Sequence, residues 1–483
     1  MSARLSELVR RDLDVDPVIE GVTADSRKVR PGFLFAALPG VKVDGRQFIP
    51  TALQAGAAAV LAGDETPGVD APVVRALDVR RAYALAAGAF YAAQPAICVA
   101  VTGTNGKTSV AAFCRQIFDR TGRRAASMGT LGIALSPRAG GDQITPPGLT
   151  TPDAGDVAER LADLAQRGVT HLAMEASSHG IDQRRLDGVH LAAAGFLNLT
   201  QDHLDYHGTM DAYRAAKLRL FDALLPRGRA AVLNADSDAY DAFAAAAVAA
   251  GQTVMSVGRN GQALRLEACE ATAQGQRLTL SAFGETVNTL LPLAGDFQVS
   301  NALVAAGLCI AAGEEPRAVL AALEHIQGAP GRLQKIGTGP RGGEAYVDYA
   351  HTPDGLKTVL AALRAHATGR LIVVFGAGGD RDRTKRPLMG AEAAQGADLV
   401  FVTDDNPRSE DPAAIRAAIL AAAQDAIDIG DRRAAIRAAV TEMQDGDVLV
   451  VAGKGHEQGQ IVGSTVHAFD DAAEVAAALG SGA

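Results

Sequence analysis

Residues 97–109 read I-C-V-A-V-T-G-T-N-G-K-T-S, and this segment carries the strongest signal in the sequence. Its apolar beginning predicts a buried strand, and a helical pattern over residues 110–120 follows the glycine-rich turn. In this order, backbone N–H groups of the turn converge on phosphate oxygens, and the helix N-terminus adds partial positive charge. The pattern G-x-x-x-x-G-K-[ST] is incomplete, because Val101 stands where its first glycine is expected. The segment predicts a phosphate-binding loop; the alternative is a glycine turn with a solvated lysine.

Five polar positions in and after this loop could carry chemistry. Lys107 is placed to reach terminal phosphates, and the Thr108 hydroxyl can ligate magnesium. Glu175 ends a later β-rich run, M-E-A-S-S-H, and a carboxylate there suits magnesium. His203, in T-Q-D-H-L-D-Y-H-G, is by residue type more often a turn or cap residue than a magnesium ligand. Lys217, on a helical stretch, reads by itself as one solvated cation among its neighbours.

Apolar runs alternate with Ala/Leu/Arg-rich helical patterns from about residue 95 onward, which is typical of parallel sheets covered by helices. The later runs end at glycine or aspartate, where ligands usually meet such sheets. We therefore predict an α/β fold with three domains. These are a small N-terminal α/β domain (1–94), a central parallel-sheet domain with the mononucleotide-binding loop (95–328) and a C-terminal Rossmann-like domain (329–483). The expected strands lie within residues 97–103, 171–177, 194–199, 230–234, 345–350, 371–379, 399–405 and 447–455.

The composition excludes several classes of protein. The chain has 483 residues, a net charge of −9 and no tryptophan, which argue against a nucleic-acid partner. Four cysteines stand far apart, without the spacing of a zinc site or a disulfide framework. The first residues lack the apolar stretch of a secretion signal, and no run approaches the roughly 20 strongly apolar residues that span a bilayer. We expect a cytoplasmic protein without membrane insertion.

Eight short motifs extend the phosphate-loop pattern over nearly the whole chain. They are T-G-T-N-G-K-T, M-E-A-S-S-H-G, N-L-T-Q-D-H-L-D-Y-H-G, Y-x-x-A-K, P-G-R, D-Y-A-H-T-P-D, G-G-D-R-D and D-N-P-R, in this order. Together they resemble the Mur ligase family, and in particular its diaminopimelate-adding members. The resemblance implies an ATP- and Mg²⁺-dependent amide ligase of peptidoglycan precursor synthesis. Its substrates would be UDP-N-acetylmuramoyl-L-alanyl-D-glutamate and meso-2,6-diaminopimelate, joined through an acyl phosphate, by a protein expected to be a monomer.

The resemblance also implies roles for individual residues in ATP turnover. It assigns catalysis to Lys107, Lys217 and His203. It assigns one magnesium ion to Thr108 and Glu175, and a second to His203. Lys217 matches the carbamylated lysine of the family, N6-carboxylysine, in which carbon dioxide converts a cation into a carboxylate-like anion. Gln298 stands where the family usually has asparagine, three residues before its adenine contact. The implied ATP-binding residues are Gly103, Thr104, Asn105, Gly106, Lys107, Thr108, Ser109, Asn301, Arg332, Asp348 and His351.

A second implied set would hold the UDP-muramoyl-peptide. Without the resemblance, residues 150–152 read as a helix cap, and Gln183 and Arg185 as surface residues. Val41 replaces a histidine often seen in the family, so its contact is expected through the backbone. The implied residues are Ser26, Val41, Lys42, Val43, Thr150, Thr151, Ser177, Gln183 and Arg185.

A third implied set would form the diaminopimelate pocket. The distal carboxylate of diaminopimelate suits a planar guanidinium, and its distal ammonium suits a carboxylate, a pair that Arg408 and Glu457 could supply. Lysine-adding relatives lack the arginine of D-N-P-R, because lysine has no distal carboxylate. By residue type alone, residues 405–408 read as a strand-end turn with surface charges. The implied residues are Arg381, Asp405, Asn406, Pro407, Arg408, Gly453 and Glu457.

Two other functions share part of this pattern. A folylpolyglutamate synthetase or another Mur ligase would have the phosphate loop and the lysine, but is expected to lack the D-N-P-R sequence at residues 405–408. A non-enzymatic regulator with a phosphate-binding loop would bind ATP without forming an amide.

Overall fold

The structure, a computed structural model, describes residues 2–40, 43–66, 68–141, 143–145, 148–272 and 274–480. Its strands are β1 (Ala3–Arg4), β2 (Val18–Ile19), β3 (Gly21–Thr23), β4 (Phe33–Ala36), β5 (Ala59–Ala62), β6 (Val73–Arg75), β7 (Ile97–Thr102), β8 (Ala125–Gly129), β9 (Gly132–Leu135), β10 (Gln143–Thr145), β11 (His171–Glu175), β12 (Leu191–Phe196), β13 (Ala230–Asn234), β14 (Thr253–Gly258), β15 (Leu264–Thr272), β16 (Gly275–Ala282), β17 (Glu285–Leu291), β18 (Gln334–Thr338), β19 (Glu344–Asp348), β20 (Leu371–Phe375), β21 (Leu399–Val402), β22 (Ile427–Asp428), β23 (Val448–Ala452), β24 (Gly459–Val462) and β25 (Thr465–Ala468). Its α-helices are α1 (Leu5–Val9), α2 (Ile49–Gln54), α3 (Val79–Tyr91), α4 (Lys107–Arg120), α5 (Ala154–Gln166), α6 (Ser178–Asp182), α7 (Leu204–His207), α8 (Met210–Arg219), α9 (Tyr240–Ala249), α10 (Asp296–Ala311), α11 (Pro316–Ala322), α12 (Pro353–Arg364), α13 (Lys385–Gly396), α14 (Pro412–Leu420), α15 (Arg432–Glu442) and α16 (Asp471–Gly480).

The contacts divide the chain into two compact units. One comprises Met1–Arg265 and Asn301–Ala322, and the other comprises Leu266–Ser300 and Leu323–Ala483. The three-domain boundaries at residues 94 and 328 stay predictions. Among the described residues, no helix combines the length and the apolar character needed to cross a lipid bilayer.

The first unit begins with a four-stranded parallel sheet in the order β3-β4-β5-β6. Apolar side chains of β4 and β5 are buried, and α3 packs on this sheet through Tyr83, Ala87 and Phe90. Asp78 caps α3 by accepting a hydrogen bond from the backbone N–H of Arg81. The first turn of α3 is therefore fixed beside the sheet.

The larger sheet of the first unit places β7 at its centre, between β11 and β12, with all three strands parallel. Parallel pairing continues outward to β8 on one side and to β13 and β14 on the other. Each of these strands is apolar on both faces because helices cover both sides of the sheet. After β7 the chain continues to strands on one side of it, ending with β11, and then crosses to β12 on the other side. The carboxyl ends of β7 and β12 therefore border a crevice, which is where ligands bind in such folds.

The second unit contains a six-stranded sheet in the order β18-β19-β23-β20-β21-β22, parallel except for the edge strand β18. Helices α12 and α13 pack on one face, and α15 and α16 on the other. The α/β class and all the strands expected from the sequence are confirmed. The strand after residue 190 begins earlier than predicted, at Leu191, and ends at Phe196.

Candidate active site

The phosphate-binding loop connects the end of β7 to the first turn of α4. Helix α4 begins at Lys107, three residues before the predicted start, because Gly106 takes a positive φ of 88° as the residue that precedes the helix. A Cβ added at Gly106 would lie 2.2 Å from Asn301 Oδ1. Both the backbone conformation and the close approach require glycine here, and the predicted adenine residue Asn301 lies against the loop.

Two lysines converge on one carbonyl of this loop. Lys107 Nζ and Lys217 Nζ each donate a hydrogen bond of 2.8 Å to the Gly103 carbonyl oxygen. Lys217 is only 1% exposed, and its Nζ lies 4.5 Å from the centroid of the Tyr213 ring. Burial, reinforced by the Lys107 charge, lowers the pKa of Lys217 well below its usual value. The interpretation of Lys217 as a solvated cation is therefore wrong.

The loop is also tied to the segment that follows β12. The backbone N–H of Asn105 donates to Asn198 Oδ1 at 2.9 Å, and the backbone N–H of Thr104 donates to the Asn198 carbonyl at 3.0 Å. Asn198 was not singled out by sequence, although it opens the N-L-T-Q-D-H motif. These two bonds fix the loop against the chain that follows β12.

Glu175 lies at the carboxyl end of β11 and is 3% exposed. The Thr108 hydroxyl donates to Glu175 Oε2 at 3.0 Å, and the Thr130 backbone N–H donates to Glu175 Oε1 at 2.8 Å. A Cβ added at Gly129 would lie 2.1 Å from Glu175 Oε1. Magnesium prefers oxygen ligands, and Thr108 and Glu175 supply a hydroxyl and a carboxylate oxygen, so these two residues fit a magnesium ion. Gly129 and Thr130 were missed; their only sequence signal is a Gly-Thr pair after an apolar run.

A cluster of aromatic rings carries His203 close to Lys217. His203 precedes α7 with a positive φ of 52°, and its side chain does not cap that helix. Its ring centroid lies 4.9 Å from that of His179 and 6.1 Å from that of Tyr213, the residue beneath the Lys217 ammonium. His207 Nε2 lies 3.0 Å from Ser178 Oγ. His203 occupies the N-cap position of α7, as the turn or cap interpretation predicts, although its side chain makes no capping hydrogen bond. Its ring lies near Tyr213, on whose ring Lys217 packs.

The residues expected to hold the muramoyl-peptide form one hydrogen-bonded group. Thr151 Oγ1 donates to the Glu175 carbonyl at 3.0 Å and accepts from the Ser177 backbone N–H at 3.1 Å. The Arg185 guanidinium donates to the Thr151 carbonyl at 2.5 Å and to Gln183 Oε1 at 2.7 Å. Arg185 and Gln183 are half-buried, so their interpretation as surface residues is wrong.

The N-terminal cap of α5 is Asp153, whose side chain accepts from the backbone N–H of Gly155. The interpretation of residues 150–152 as the cap is therefore wrong. Thr150 Oγ1 instead lies 2.9 Å from Thr130 Oγ1, next to the Glu175 carboxylate.

A cavity of about 1170 Å³ lies in the first unit, next to the N-terminal sheet. Two predicted UDP-binding residues, Ser26 and Val43, line it; Val41 and Lys42 lie outside the described residues. Ser26 opens a short turn in which Asp25 accepts from the Arg27 backbone N–H. The ion-paired hydrogen bond from the Arg27 side chain lowers the pKa of Asp25 to about 2, so this turn carries a fixed carboxylate.

In the second unit, the Tyr349 ring contacts two predicted ATP-binding residues. The Arg332 guanidinium lies 4.4 Å from the Tyr349 ring centroid, and the His351 ring lies 4.6 Å from it. Arg332 Nε is buried without a hydrogen-bond partner among the described residues. Buried Asp348 accepts two backbone N–H donors, at 2.6 and 2.7 Å, while burial raises its pKa. Gln298 Nε2 donates to the Arg332 carbonyl at 3.3 Å, so the substituted residue joins this group.

The D-N-P-R segment follows β21 and is held by a fully buried lysine. Lys454 Nζ lies 3.1 Å from Asp405 Oδ1 and donates to Asn406 Oδ1 at 2.9 Å. Asn406 Nδ2 in turn donates to Glu457 Oε2 at 3.0 Å. Burial of Asp405 favours its neutral form, but the positive charges of Lys454 and Arg432 outweigh the effect of burial, so the pKa of Asp405 is lowered. Asp405 and Asn406 are buried, so the interpretation of this segment as a turn with exposed side chains is wrong for these two residues. The sequence analysis did not single out Lys454.

Arg408 adopts a left-handed conformation with φ 51°. Its guanidinium donates to the Gly379 carbonyl at 2.8 Å, and its backbone N–H donates to the Ile461 carbonyl of β24 at 3.0 Å. Gly453 has φ 119°, and a Cβ added there would lie 3.2 Å from Asp405 Oδ2. Arg381 is exposed. The segment is thus held between the ends of β20, β21 and β23.

Three sequence models of one family match successive parts of the chain. They are described as "Mur ligase family, catalytic domain" for residues 18–91, "Mur ligase middle domain" for residues 101–309 and "Mur ligase, glutamate ligase domain" for residues 331–455. The chain belongs to the Mur ligase family. The three-domain architecture expected from the sequence is confirmed with it, as is the resemblance drawn from the eight motifs.

Individual relatives resemble this Mur ligase over nearly their full length. The UDP-N-acetylmuramoyl-L-alanyl-D-glutamate--2,6-diaminopimelate ligase of Caulobacter vibrioides is 68% identical over 99% of both chains. The enzyme of the same name from Bradyrhizobium diazoefficiens is 53% identical, also over 99% of both chains. A solved structure of a ligase with this name is 35% identical, with a TM-score of 0.76 over 100% of this chain and 99% of that one.

Proposed function

We propose that this Mur ligase joins meso-2,6-diaminopimelate to UDP-N-acetylmuramoyl-L-alanyl-D-glutamate at the expense of ATP. The observation that carries the proposal is the 68% identity, over 99% of both chains, to a relative with that name. The reaction would belong to peptidoglycan precursor synthesis in the cytoplasm. The crevice beside Glu175 and the pocket around Asn406 supply matching chemistry.

In the first step, an oxygen of the D-glutamyl γ-carboxylate attacks the γ-phosphorus of ATP. The bond from that phosphorus to the β,γ-bridging oxygen breaks, so ADP leaves and an acyl phosphate forms. Lys107 and the N–H groups of the loop orient the triphosphate and offset its charge, which is the main contribution that proteins make to phosphoryl transfer. The amine of diaminopimelate then attacks the acyl carbon, inorganic phosphate leaves, and the nitrogen loses a proton.

Thr108 and Glu175 would hold one magnesium ion at this loop, and His203 would hold a second. A bound Mg²⁺ supplies charge neutralisation where a carboxylate approaches a triphosphate. The protein groups around it are already oriented, since Thr108 and Thr130 hold both Glu175 oxygens.

We also propose that Lys217 is carbamylated, and its surroundings support this. The reaction joins an uncharged amine to carbon dioxide and releases a proton, and burial favours the uncharged amine of Lys217. The product would place an anion beside the Lys107 ammonium, an attraction that the uncharged amine does not supply. One N–H remains on the carbamate nitrogen to keep the existing hydrogen bond.

Diaminopimelate would bind in a pocket next to Arg408 and Glu457. The guanidinium fork of Arg408 suits the distal carboxylate, and the Glu457 carboxylate suits the distal ammonium. Lys454 and Asn406 fix this side of the pocket, because Asn406 links the buried lysine to Glu457.

A product assay by mass spectrometry tests the proposed function. With the UDP-linked dipeptide, ATP and Mg²⁺, we expect a product increased by the mass of diaminopimelate less one water, with one ADP released per product. Replacement of diaminopimelate by lysine is expected to give little product, because Arg408 would lack its carboxylate partner. Equal turnover of lysine, or ATP binding without ADP release when both substrates are present, would contradict the proposal.

Substitution of Arg408 by alanine tests the amino-acid pocket. We expect the KM for diaminopimelate to rise by about tenfold to a hundredfold, the effect of losing a charge-assisted hydrogen bond. The KM for ATP should stay within about twofold of the unaltered enzyme. Arg437→Ala, which removes an exposed arginine of α15, serves as the control. An unchanged KM for diaminopimelate in Arg408→Ala would count against the assignment.

A further inference from the structure

The cavity beside the N-terminal sheet is lined by four acidic side chains, including Asp153, and four basic side chains, including Arg30 and Arg80. Asp25, Asp156 and Glu159 line it together with Arg27 and Lys28. Arg27 pairs with Asp25 at 2.8 Å, and Lys28 pairs with Asp156 at 3.3 Å. These two cations are already compensated, so they offer little net attraction to an anionic ligand.

Arg80 is a half-buried cation that lines the same cavity. Its guanidinium donates to the Pro39 carbonyl, and no carboxylate of a described residue forms an ion pair with it. The neighbouring arginines differ: Arg81 pairs with Asp187 at 3.6 Å, and Arg184 pairs with Asp78 at 2.8 Å. A half-buried guanidinium without a counter-charge is a favourable place for a phosphate.

The position of Arg80 matches the middle of a nucleotide-sugar peptide. Through Pro39, Arg80 contacts the chain just before residues 41–43, the segment predicted to bind the diphosphate. The charge of Arg80 also acts on Arg185: burial lowers the pKa of Arg185, and the Arg80 charge acts in the same direction. Arg80 therefore lines the same cavity as Ser26 and lies near the group that would hold the peptide.

We propose that Arg80 binds the diphosphate of the UDP-linked substrate directly. The inference rests on the proposed function and adds a residue to it. The planar guanidinium can donate to two phosphate oxygens at once, while Pro39 fixes its orientation. The uridine would then lie toward Ser26, and the muramoyl-peptide would extend toward Arg185.

The test compares Arg80→Gln with Arg81→Gln, the same change at the next position of the same helix. Binding of the UDP-linked dipeptide and of UDP is measured by calorimetry, and binding of uridine by ligand-detected NMR. We expect Arg80→Gln to weaken both diphosphate ligands by about tenfold to a hundredfold, with uridine binding unchanged. Arg80→Lys should retain part of the affinity, and Arg81→Gln nearly all of it. In kinetics, the KM for the UDP-linked dipeptide should rise while kcat stays nearly constant.

Three outcomes would overturn this inference. Unchanged UDP affinity in Arg80→Gln would refute it and leave the proposed function intact. An equal loss for UDP and uridine would show that Arg80 only braces residues 37–40 through Pro39. Failure of the unaltered enzyme to bind any UDP-linked ligand would overturn the proposed function as well. Thermal unfolding of each variant establishes that the affinities are measured on folded protein.

Discussion

Replacement of Lys217 by alanine is expected to lower ligase activity by about a hundredfold to a thousandfold, the loss typical when one charge-stabilising group is removed from an active site. Lys217 is buried beside the Gly103 carbonyl, where burial favours its uncharged amine. An uncharged amine can take up carbon dioxide, so the functional group at this position would be an anion. Alanine removes that anion and leaves space beneath the loop.

A small carboxylic acid should enter this space and restore part of the activity. Activity is measured by ADP release with formate or acetate over a concentration series, and a saturable increase is expected only in Lys217→Ala. Arg214→Ala is the matched control, since Arg214 lies on the same helix with an exposed side chain paired to Asp211. Full activity of Lys217→Ala without any added acid would refute the carbamate.

Replacement of Gly106 by alanine is expected to reduce ATP affinity by at least about tenfold. The added Cβ meets two obstacles: the positive φ of 88° and the Asn301 side chain 2.2 Å away. Left-handed backbone costs a non-glycine residue roughly 1–2 kcal/mol. The collision must be relieved by moving either the loop or Asn301, and both are predicted ATP-binding groups.

Gly122→Ala separates these two effects. Gly122 lies just after α4 with a similar φ of 92°, but nothing lies within 4 Å of an added Cβ there. Both variants should lose stability in thermal unfolding through the backbone strain, and Gly106→Ala should lose more because of the collision. Only Gly106→Ala should lose affinity for a non-hydrolysable ATP analogue in calorimetry. Equal ATP affinities in the two variants would contradict the role given to the Gly106–Asn301 contact.

The phosphate-binding loop could be predicted from sequence because its determinants are local. An apolar strand, a turn rich in glycine and a helical pattern follow one another within residues 97–120, so each constrains the next. The start of the helix was predicted too late, since the positive φ of Gly106 allows helix α4 to begin directly at Lys107. The order of the motifs was also sufficient to indicate the family.

Sequence alone determined the α/β class, the central strands, the loop that follows β7 and the membership of a ligase family, all of which depend on local patterns or on motifs in a fixed order. Only the tertiary structure decided that Lys217 is buried, that Thr130 holds Glu175, that Lys454 supports Asn406 and that Arg80 lacks a carboxylate partner among the described residues. The physical reason is that burial and charge compensation are set by residues distant in the chain. A lysine looks the same in the sequence whether water or a packed sheet surrounds it, but its charge state differs between these two environments.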